Sequence, residues 1–372
     1  MFEEFRERVR KWISENIELG KQISRLSGEK DDLPLYKEWQ RKVYEAGFLG
    51  ISWPKEYGGY GDEPIKEFIA FEEFTRAGIP LGSPVAGIGL RVVGPSLIYA
   101  GSEDQKKRYL RKILTGEEIW CQGFSEPSAG SDLASIQTRA EDKGDYYEIN
   151  GQKIWSSYAH LADYMILLAR TGKPEDRHKG LTMFIVDMKS PGITVKPIRQ
   201  ITGRSEFNSV YFDRVKIPKE NVIGKVNEGW RVAMIVLNNE RFYIGLPMLL
   251  MVDGALKNIS KSVRDLKPIE DLLIEALATK FIYQRMSELY KKGVVPGPET
   301  ALIKLVGSEL LQKVHEFAVN QLGPEALILE RTEFTMPEII YGLLASRSLT
   351  IAGGTSEILR NLLGELVLRL PK

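Results

Sequence analysis

The sequence predicts an α+β protein of three domains: an N-terminal α-helical domain, a middle β-domain with a barrel-like sheet, and a C-terminal four-helix bundle. Helical periodicity covers the first part of the chain, short β-rich runs follow, and helical periodicity then returns. Strands and helices are therefore segregated along the chain, whereas they alternate in a parallel doubly wound fold. We accordingly expect domains at 1–118, 119–225 and 226–372.

The first region predicts helices throughout. Its opening residues, MFEEFRERVRKWISENI, are charged along their length and predict an amphipathic helix rather than a secretory signal, which needs an apolar centre. Further helices are predicted at Leu35–Ala46 and Lys66–Arg76, and breaker clusters such as YGGYGDEP separate such segments.

The middle region predicts a compact antiparallel β-domain. Residues with high strand propensity are concentrated in five runs: DYYEI, YMILLA, LTMFIVD, ITVKPI and NSVYFDRVKIP. Asn150 and Gly151 fall between DYYEI and QKIW, and this dipeptide is typical of a two-residue hairpin turn. We therefore predict a hairpin at this point of the chain.

The last region predicts four helices that pack as a bundle. Apolar residues recur at helical spacing over Trp230–Met251, Ile269–Lys291, Glu299–Leu322 and Ser356–Leu368.

Composition limits the kinds of partner. The chain has 372 residues, with 51 Lys and Arg against 50 Asp and Glu, so no field of one sign attracts nucleic acid or an anionic membrane. The single cysteine, Cys121, excludes an internal disulfide, and three scattered histidines give no cluster at zinc-ligand spacing. No apolar run approaches the roughly 20 residues that span a bilayer. We expect a soluble cytoplasmic protein that binds no nucleic acid, no membrane and no metal.

A run of small and hydroxylated residues, QGFSEPSAGSDLAS, occupies Gln122–Ser135, where the helical region gives way to strands. Small residues let backbone amides approach a phosphate or a heterocycle, and the hydroxyls of Ser125 and Ser131 add hydrogen bonds. An ordinary polar connector is the alternative that composition alone favours. Spacing within this run does not identify the ligand.

Four motifs together resemble the acyl-CoA dehydrogenase family along nearly the whole chain: WPKEYGGYGD, GFSEPSAGSD, INGQKIWSS and IAGGTSEILRN. The resemblance implies the fold of that family, with FAD between the middle domain and the bundle and across a subunit contact. It implies an oxidoreductase that converts an acyl-CoA thioester to the trans-2-enoyl-CoA. It also implies an electron-transferring flavoprotein as the acceptor, and the sequence offers no GxGxxG nicotinamide motif after a strand.

The resemblance assigns residues to the cofactor and to the substrate by position. Ser125 would face the isoalloxazine ring, and Trp155 and Ser157 would lie against the flavin, although a lone tryptophan is more often a packing residue. In the family, the FAD contacts near the carboxyl terminus often come from the neighbouring subunit. The residues implied to touch FAD are Gln122, Phe124, Ser125, Ser131, Trp155, Ser157, Asn320, Gln321, Gly323, Thr355 and Glu357. Those implied to touch the substrate are Ser131, Asn238, Arg241 and Gly354.

The usual catalytic base of the family is missing from the last motif. Many acyl-CoA dehydrogenases place a glutamate just before its glycine and threonine, whereas this sequence has Gly353 there. The reaction still requires a base, because the α-proton beside a thioester is only weakly acidic. The Gly353 amide is a candidate to stabilise charge on the thioester oxygen. A helix begins after Gly354 and Thr355, and the free amide groups of a helix start can bind an anion. The alternative is that these residues only cap the helix in a tight turn, which explains them equally well.

Glu240 is the predicted base. A carboxylate on an apolar helix face loses hydration, which raises its pKa toward the range useful in a general base. The alternatives are a buried ion pair with a neighbouring helix, or a stripe whose edge is more hydrated than the pattern indicates. In the family, the isovaleryl-CoA and long-chain acyl-CoA dehydrogenases carry their base on this helix, in a pair like Glu240-Arg241. The seven apolar residues that share the face of Glu240 are Ala233, Val236, Leu237, Ile244, Pro247, Met248 and Met251.

One element of the family is absent. The stretch after Gly254, ALKNISKSVRDLKPIEDLL, lacks the Arg-x-x-Phe-Gly sequence by which many members reach the FAD of a partner subunit. Similar features occur in a divergent subgroup, some of whose members pair unlike subunits, so we expect a homo-oligomer (dimer or tetramer) or a pairing with a sister chain. Two alternatives stay open: a non-catalytic partner subunit of such a dehydrogenase, and an acyl-CoA oxidase or flavin monooxygenase on the same fold.

Overall fold

The computed structural model describes residues 2–235, 237, 248–249, 251–252, 256, 267–292, 297–324 and 338–371. The chain divides into two compact units, Met1–Leu237 and Asn238–Lys372. The first unit contains both the opening helices and the β-sheet, so the domain boundaries at 118 and 225 stay predictions. Within the described ranges, no helix is long and apolar enough to cross a membrane.

Helices form the opening part of the first unit, and they include the three helical segments predicted there. Aromatic rings pack these helices together: the ring centroid of Trp12 lies 5.5 Å from that of Trp39 and 5.6 Å from that of Phe74. The helices are α1 (Phe2–Arg25), α2 (Leu33–Glu45), α3 (Pro64–Arg76), α4 (Gly94–Ala100) and α5 (Glu103–Thr115).

The β-sheet follows directly after α5. Its strands are β1 (Trp120–Gly123), β2 (Arg139–Asp142), β3 (Tyr146–Ser157), β4 (Tyr164–Arg170), β5 (Leu181–Asp187), β6 (Ile193–Ile198), β7 (Phe207–Pro218) and β8 (Val222–Ile223). They lie in the order β6-β7-β3-β2-β4-β5-β8, with β1 beside β4. Most neighbouring strands are antiparallel as predicted, but β1 and β2 each pair with β4 in parallel.

Asn150 and Gly151 lie inside β3, so the predicted hairpin turn at this dipeptide is wrong. The pairing of β3 with β7 shifts register here, and Gly151 has a φ of 148°. A Cβ on Gly151 would lie 2.7 Å from the Cα of Thr138, so glycine is needed for this close approach. The turn between β2 and β3 instead contains Gly144, whose φ is 90°. The dipeptide therefore supplies a bulge in a long strand rather than a turn.

The described part of the second unit contains α6 (Glu270–Lys291), α7 (Thr300–Leu322), α8 (Glu338–Leu349) and α9 (Ser356–Leu362). The sequence does not predict α8. Most of its residues are apolar or small, so no polar face marks a helical period. A π-helical turn, Leu363–Val367, continues α9 toward the predicted end. The helix predicted at Trp230–Met251 is only partly described, and its residues 229–235, 237, 248–249 and 251 are helical.

A hydrophobic core in the second unit joins Met248, Val252 and Leu256 to Leu310 and Val314 of α7. The first three recur every four residues, as expected for one face of a helix.

Met251, which belongs to the predicted apolar stripe of Glu240, is 54% exposed. Met248, which also belongs to the stripe, is buried, and the next core-facing residue is Val252, so the edge of the stripe at Met251 is more exposed than its apolar pattern predicts.

Candidate active site

A loop after β1 begins the candidate site in the first unit. Gly123 ends β1 against β4, where a Cβ would lie 2.4 Å from the sulfur of Met165. The backbones of Glu126 and Ala129 then exchange hydrogen bonds of 3.0 and 3.1 Å. These bonds close a tight turn within the loop, so the loop leaves the sheet in a defined direction.

The predicted cofactor residues of the first unit lie at the end of β1, on this loop and at the end of β3. The amide of Ile154 donates to the carbonyl oxygen of Ser125 over 2.9 Å, which joins the loop to the strand. The structure thus brings Ser125 next to the strand end that carries Trp155 and Ser157. Phe124 is buried, Gln122, Ser125 and Ser157 are half-buried, and Ser131 and Trp155 are exposed.

A buried ion pair holds the loop to β3. The Lys153 ammonium, which is fully buried, donates to Oε1 of Glu126 over 2.8 Å and to the carbonyl oxygen of Phe124 over 2.9 Å. Glu126 also accepts from the amides of Gln137 (2.5 Å) and Thr138 (2.8 Å). Burial lowers the pKa of Lys153 to about 8, although the charge of Glu126 opposes this change. Burial alone would raise the pKa of Glu126, but the charge of Lys153 and the hydrogen bonds outweigh it and the pKa is lowered.

Arg170, at the end of β4, holds the last part of the same loop. Its side chain donates to the carbonyl oxygens of Ile136 (2.9 Å) and Ala134 (2.6 Å). The residue is 2% exposed, so its charge is satisfied mainly by carbonyl oxygens of the chain. One guanidinium with five donors can therefore fix several residues of the loop.

Trp155 presents an exposed ring from a left-handed backbone conformation. Its φ is 62° and 55% of its surface is exposed. A register shift between Lys153 and Ser156 in the pairing of β3 with β7 produces this conformation, which costs about 1–2 kcal/mol for a residue other than glycine. The Phe207 ring packs nearly perpendicular to the indole, with centroids 6.3 Å apart. The surrounding strands therefore impose the position of the ring.

Asn208 of β7 supports the same strand end. Its side-chain amide, which is fully buried, donates to the carbonyl oxygen of Ser156 over 3.0 Å. Its Oδ1 lies 3.2 Å from Nδ1 of His160, and Nε2 of His160 lies 3.0 Å from the carbonyl oxygen of Gly28. This chain of contacts ties the residues around Trp155 to the segment that follows α1.

The groups around Trp155 fit the flavin ring of FAD, which has apolar faces and polar edges. Within the described ranges, the side-chain hydroxyls of Ser125, Ser131 and Ser157 make no hydrogen bond to the protein. Hydroxyl groups that are accessible and uncommitted can donate to or accept from a ligand. An exposed indole offers the apolar surface on which a planar ring packs.

In the second unit, the predicted residues Gly353, Gly354 and Thr355 lie in the turn before α9. Gly353 and Gly354 have φ values of 70° and 109°. The fully buried Lys304 of α7 donates to the carbonyl oxygen of Gly354 over 2.6 Å. Thr355 caps α9, because its hydroxyl accepts from the amide of Ile358 over 3.2 Å. The helix-cap interpretation of this motif is therefore confirmed.

Glu357 is a carboxylate of this turn and is exposed in the first turn of α9. A hydrogen bond from its own backbone amide, and another from the hydroxyl of Thr355, hold its pKa below the usual range. A carboxylate with a lowered pKa is a weaker base.

The second-unit residues predicted to touch FAD fall into two separate places. Asn320 and Gln321 are exposed in the last turn of α7, which Gly323 ends with a φ of 59°. Lys304, which contacts the Gly354 turn, lies sixteen residues earlier on the same helix, about 24 Å along its axis. One chain therefore does not bring the two places together.

Three predicted residues, Asn238, Glu240 and Arg241, lie outside the described residues.

Sequence reasoning missed the buried cations that hold the site. Their signal is a charged residue within an otherwise apolar or inward-facing pattern, as in YMILLAR for Arg170 and ALIKLVG for Lys304. Lys153 carries a weaker signal, because the bulge in β3 changes which residues face inward.

Three family models match the chain. The acyl-CoA dehydrogenase N-terminal domain matches residues 2–117, the middle domain matches 121–215, and the C-terminal domain matches 227–368.

Curated proteins and solved structures give matches over the full chain. Acyl-CoA dehydrogenase IpdE1 of Mycobacterium tuberculosis is 36% identical over 383 residues, covering 100% of this chain and 98% of that protein. The Tcur3481-Tcur3483 steroid ACAD has a TM-score of 0.85 and 28% identity, covering 100% of this chain and 98% of the other. The ChsE4-ChsE5 complex from Mycobacterium tuberculosis has a TM-score of 0.81 and 28% identity, with the same coverage of 100% and 98%.

Proposed function

The chain belongs to the acyl-CoA dehydrogenase family, and on this premise we propose that Glu240 is the base that removes the α-proton of its acyl-CoA substrate. The family consists of FAD-dependent oxidoreductases, and dehydrogenation of an acyl-CoA is the activity of this chain. What needs assignment is the role of each residue.

The turn before α9 carries the argument for Glu240. Gly353 stands where many family members have their glutamate, and its φ of 70° strains any residue with a side chain. Glu357 is exposed and has a lowered pKa, so it is a poor candidate base. The proton must therefore pass to a carboxylate from another part of the chain. Glu240 is the acidic residue that the sequence places on a largely apolar helix face.

The first-unit loop and strand end form the proposed flavin contact. When bound, FAD supplies the acceptor for the hydride that leaves the β-carbon. Trp155 packs against the flavin ring, and the hydroxyls of Ser125 and Ser157 bind its polar edge. Gln122, Phe124 and Ser131 complete the first-unit contacts, and Ser131 also reaches the acyl-CoA.

The second unit supplies contacts to the thioester and to the rest of FAD. The amide of Gly353 stabilises the negative charge that develops on the thioester oxygen. Lys304 fixes this turn through the carbonyl oxygen of Gly354, beside which the substrate lies. The further proposed contacts are Asn238 and Arg241 with the substrate, and Asn320, Gln321, Gly323, Thr355 and Glu357 with FAD.

The partners follow from the family and from the matched structures. An electron-transferring flavoprotein accepts the electrons from the reduced enzyme. The enzyme works in the cytoplasm. A second chain completes the FAD site, either a copy of this one or an unlike subunit, and the match to the ChsE4-ChsE5 complex supports the unlike subunit. A steroid-like acyl group is the first substrate class to test, because a steroid ACAD is among the matched structures.

Anaerobic flavin reduction tests the base. Straight-chain, branched and steroid-side-chain acyl-CoA thioesters are mixed with the wild type and with Glu240→Gln, and flavin bleaching is followed. We expect Glu240→Gln to slow bleaching by about 10²–10⁴-fold with the best substrate. Glu228→Gln is the control, because Glu228 is exposed and pairs with Arg231 at 3.1 Å. An undiminished rate in Glu240→Gln contradicts the proposal.

A further inference from the structure

We propose that Lys153 is a positioning residue that holds the loop 122–131 in register with Trp155, through the Glu126 carboxylate and the Phe124 carbonyl oxygen. This inference rests on the proposed assignment of that loop and Trp155 to the flavin. The ammonium group touches neither cofactor nor substrate. It acts on the main chain of the residues that do.

The charge of Lys153 is unusual for its surroundings. Its side chain has no exposed surface, and that of Glu126 is 4% exposed. Replacing a buried ion pair by apolar residues is often neutral or stabilising, so packing alone does not require this pair. A role in fixing the geometry of the loop accounts for a charge that packing does not need.

Three consecutive residues of β3 connect the loop to the ring. Lys153 contacts Phe124 and Glu126, and the amide of Ile154 donates to the carbonyl oxygen of Ser125 over 2.9 Å. The next residue is Trp155. The two residues before the exposed ring, Lys153 and Ile154, thus hold loop residues 124–126.

Glu126 extends this control to the far end of the loop. One of its carboxylate oxygens accepts from Lys153 and from the amide of Thr138, and the other accepts from the amide of Gln137. The ion pair therefore joins the first residues of the loop to the residues that lead into β2. Loss of the ammonium removes the anchor of the Phe124 carbonyl oxygen and leaves the Glu126 carboxylate buried with its backbone donors alone.

The test uses the purified holoenzyme and two variants. Lys153→Met keeps the side-chain length and removes the charge. The double variant Lys153→Met with Glu126→Gln also removes the carboxylate charge that the single variant leaves unpaired. Lys216→Met is the control, because Lys216 is an exposed lysine on the adjacent strand β7.

The measurements are the rate of FAD dissociation, the visible circular dichroism of bound flavin, and the thermal midpoint. For both Lys153 variants we expect about tenfold faster FAD release and an altered visible dichroism, with Lys216→Met unchanged. The double variant should regain part of the wild-type thermal midpoint, because no buried charge is left unpaired, although the Gln side chain can accept from only one of the amides of Gln137 and Thr138. FAD release should stay fast, because the Phe124 carbonyl oxygen is still not held.

Two results would overturn the inference. In one, the double variant has wild-type FAD release and dichroism, so Lys153 only balances the charge of Glu126. In the other, neither Lys153 variant folds, which would show that Lys153 is needed for the stability of the β-sheet rather than for the position of the loop.

The underlying flavin assignment has its own test. Ser125→Ala and Trp155→Ala keep both contacts of Lys153, so unchanged FAD retention in both variants contradicts the flavin assignment and not the role of Lys153.

Discussion

At the scale of single residues, buried cations fix the main chain near the predicted site residues of each unit. Lys153, Arg170 and Lys304 are each at most 2% exposed, and each donates to carbonyl oxygens of a loop or turn. A contact with the carbonyl oxygen holds the backbone and leaves the side chains free. The backbone at Ser125 and Ser157 is therefore held in place, and the two hydroxyls stay available for a ligand.

Gly123 gives a prediction about the base of the loop. A Cβ there would lie 2.4 Å from the sulfur of the fully buried Met165, so Gly123→Ala overpacks the contact of β1 with β4. We expect a loss of about 1–3 kcal/mol in the free energy of unfolding, measured with urea. Gly130→Ala is the control, since no atom lies within 4 Å of its added Cβ. Equal stability of the two variants contradicts the packing argument.

The sequence motifs select first-unit residues that the structure places near one another, but they do not show the residues that support them. Motif positions identify Ser125, Trp155 and Ser157, and the structure places them near one another. Lys153 and Glu126 are 27 residues apart, and nothing in the sequence shows that they meet. Their contact depends on how the loop folds back onto β3, which is a property of the three-dimensional structure.

At the scale of elements, an ion-pair network joins α1 to α3. Glu73 is 5% exposed and accepts from Arg6 and from Nε of Arg10, the latter over 2.8 Å. Arg6 also donates to Glu72 over 3.0 Å. Burial by itself would raise the pKa of Glu73, but the hydrogen bonds and charges of Arg10 and Arg6 outweigh it and the pKa is lowered.

This network predicts a pH dependence of stability. Because the pKa of Glu73 is lower in the folded protein than its ordinary 4.5, its contribution is full above about pH 4.5 and is lost as the pH falls through the folded value. Glu73→Gln should lower the free energy of unfolding by about 2 kcal/mol at pH 7, and the difference should shrink below pH 4.5. Denaturant titrations at several pH values measure this. Glu7→Gln is the control, because Glu7 is an exposed residue of α1, and a pH-independent difference for Glu73→Gln contradicts the assignment.

Helices and strands were predictable where the hydrophobic periodicity of the sequence is strong. They were missed where that periodicity is weak. The helices α2 and α3 and most of the strands follow from their sequence patterns. Asn150 and Gly151 have the composition of a turn, yet tertiary contact with Thr138 places them in a bulge. The apolar residues around α8 gave no period, because packing on several sides removes the contrast between faces.

At the scale of the whole molecule, the second-unit residues that we propose to contact FAD lie in two places. Asn320 is about 24 Å along α7 from Lys304, which contacts the turn before Thr355 and Glu357. In the proposed site, a second chain would supply one of these two places. We expect FAD retention to depend on association of chains.

Dilution tests this dependence. When the holoenzyme is diluted through the dissociation range of its chains, free FAD should appear in step with the loss of the oligomer. Flavin fluorescence and light scattering on the same samples measure the two events. An isolated single chain that retains FAD at the same affinity as the oligomer contradicts the shared site.

Exchange of the substrate α-proton tests the role of Glu240 most directly. In a 3-thia acyl-CoA, sulfur replaces the β-carbon, so no hydride can leave and only proton removal remains. With this analogue bound in deuterated water, the wild type should exchange the α-proton, and Glu240→Gln should exchange it at least about 10²-fold more slowly. Wild-type exchange in Glu240→Gln would show that another group is the base.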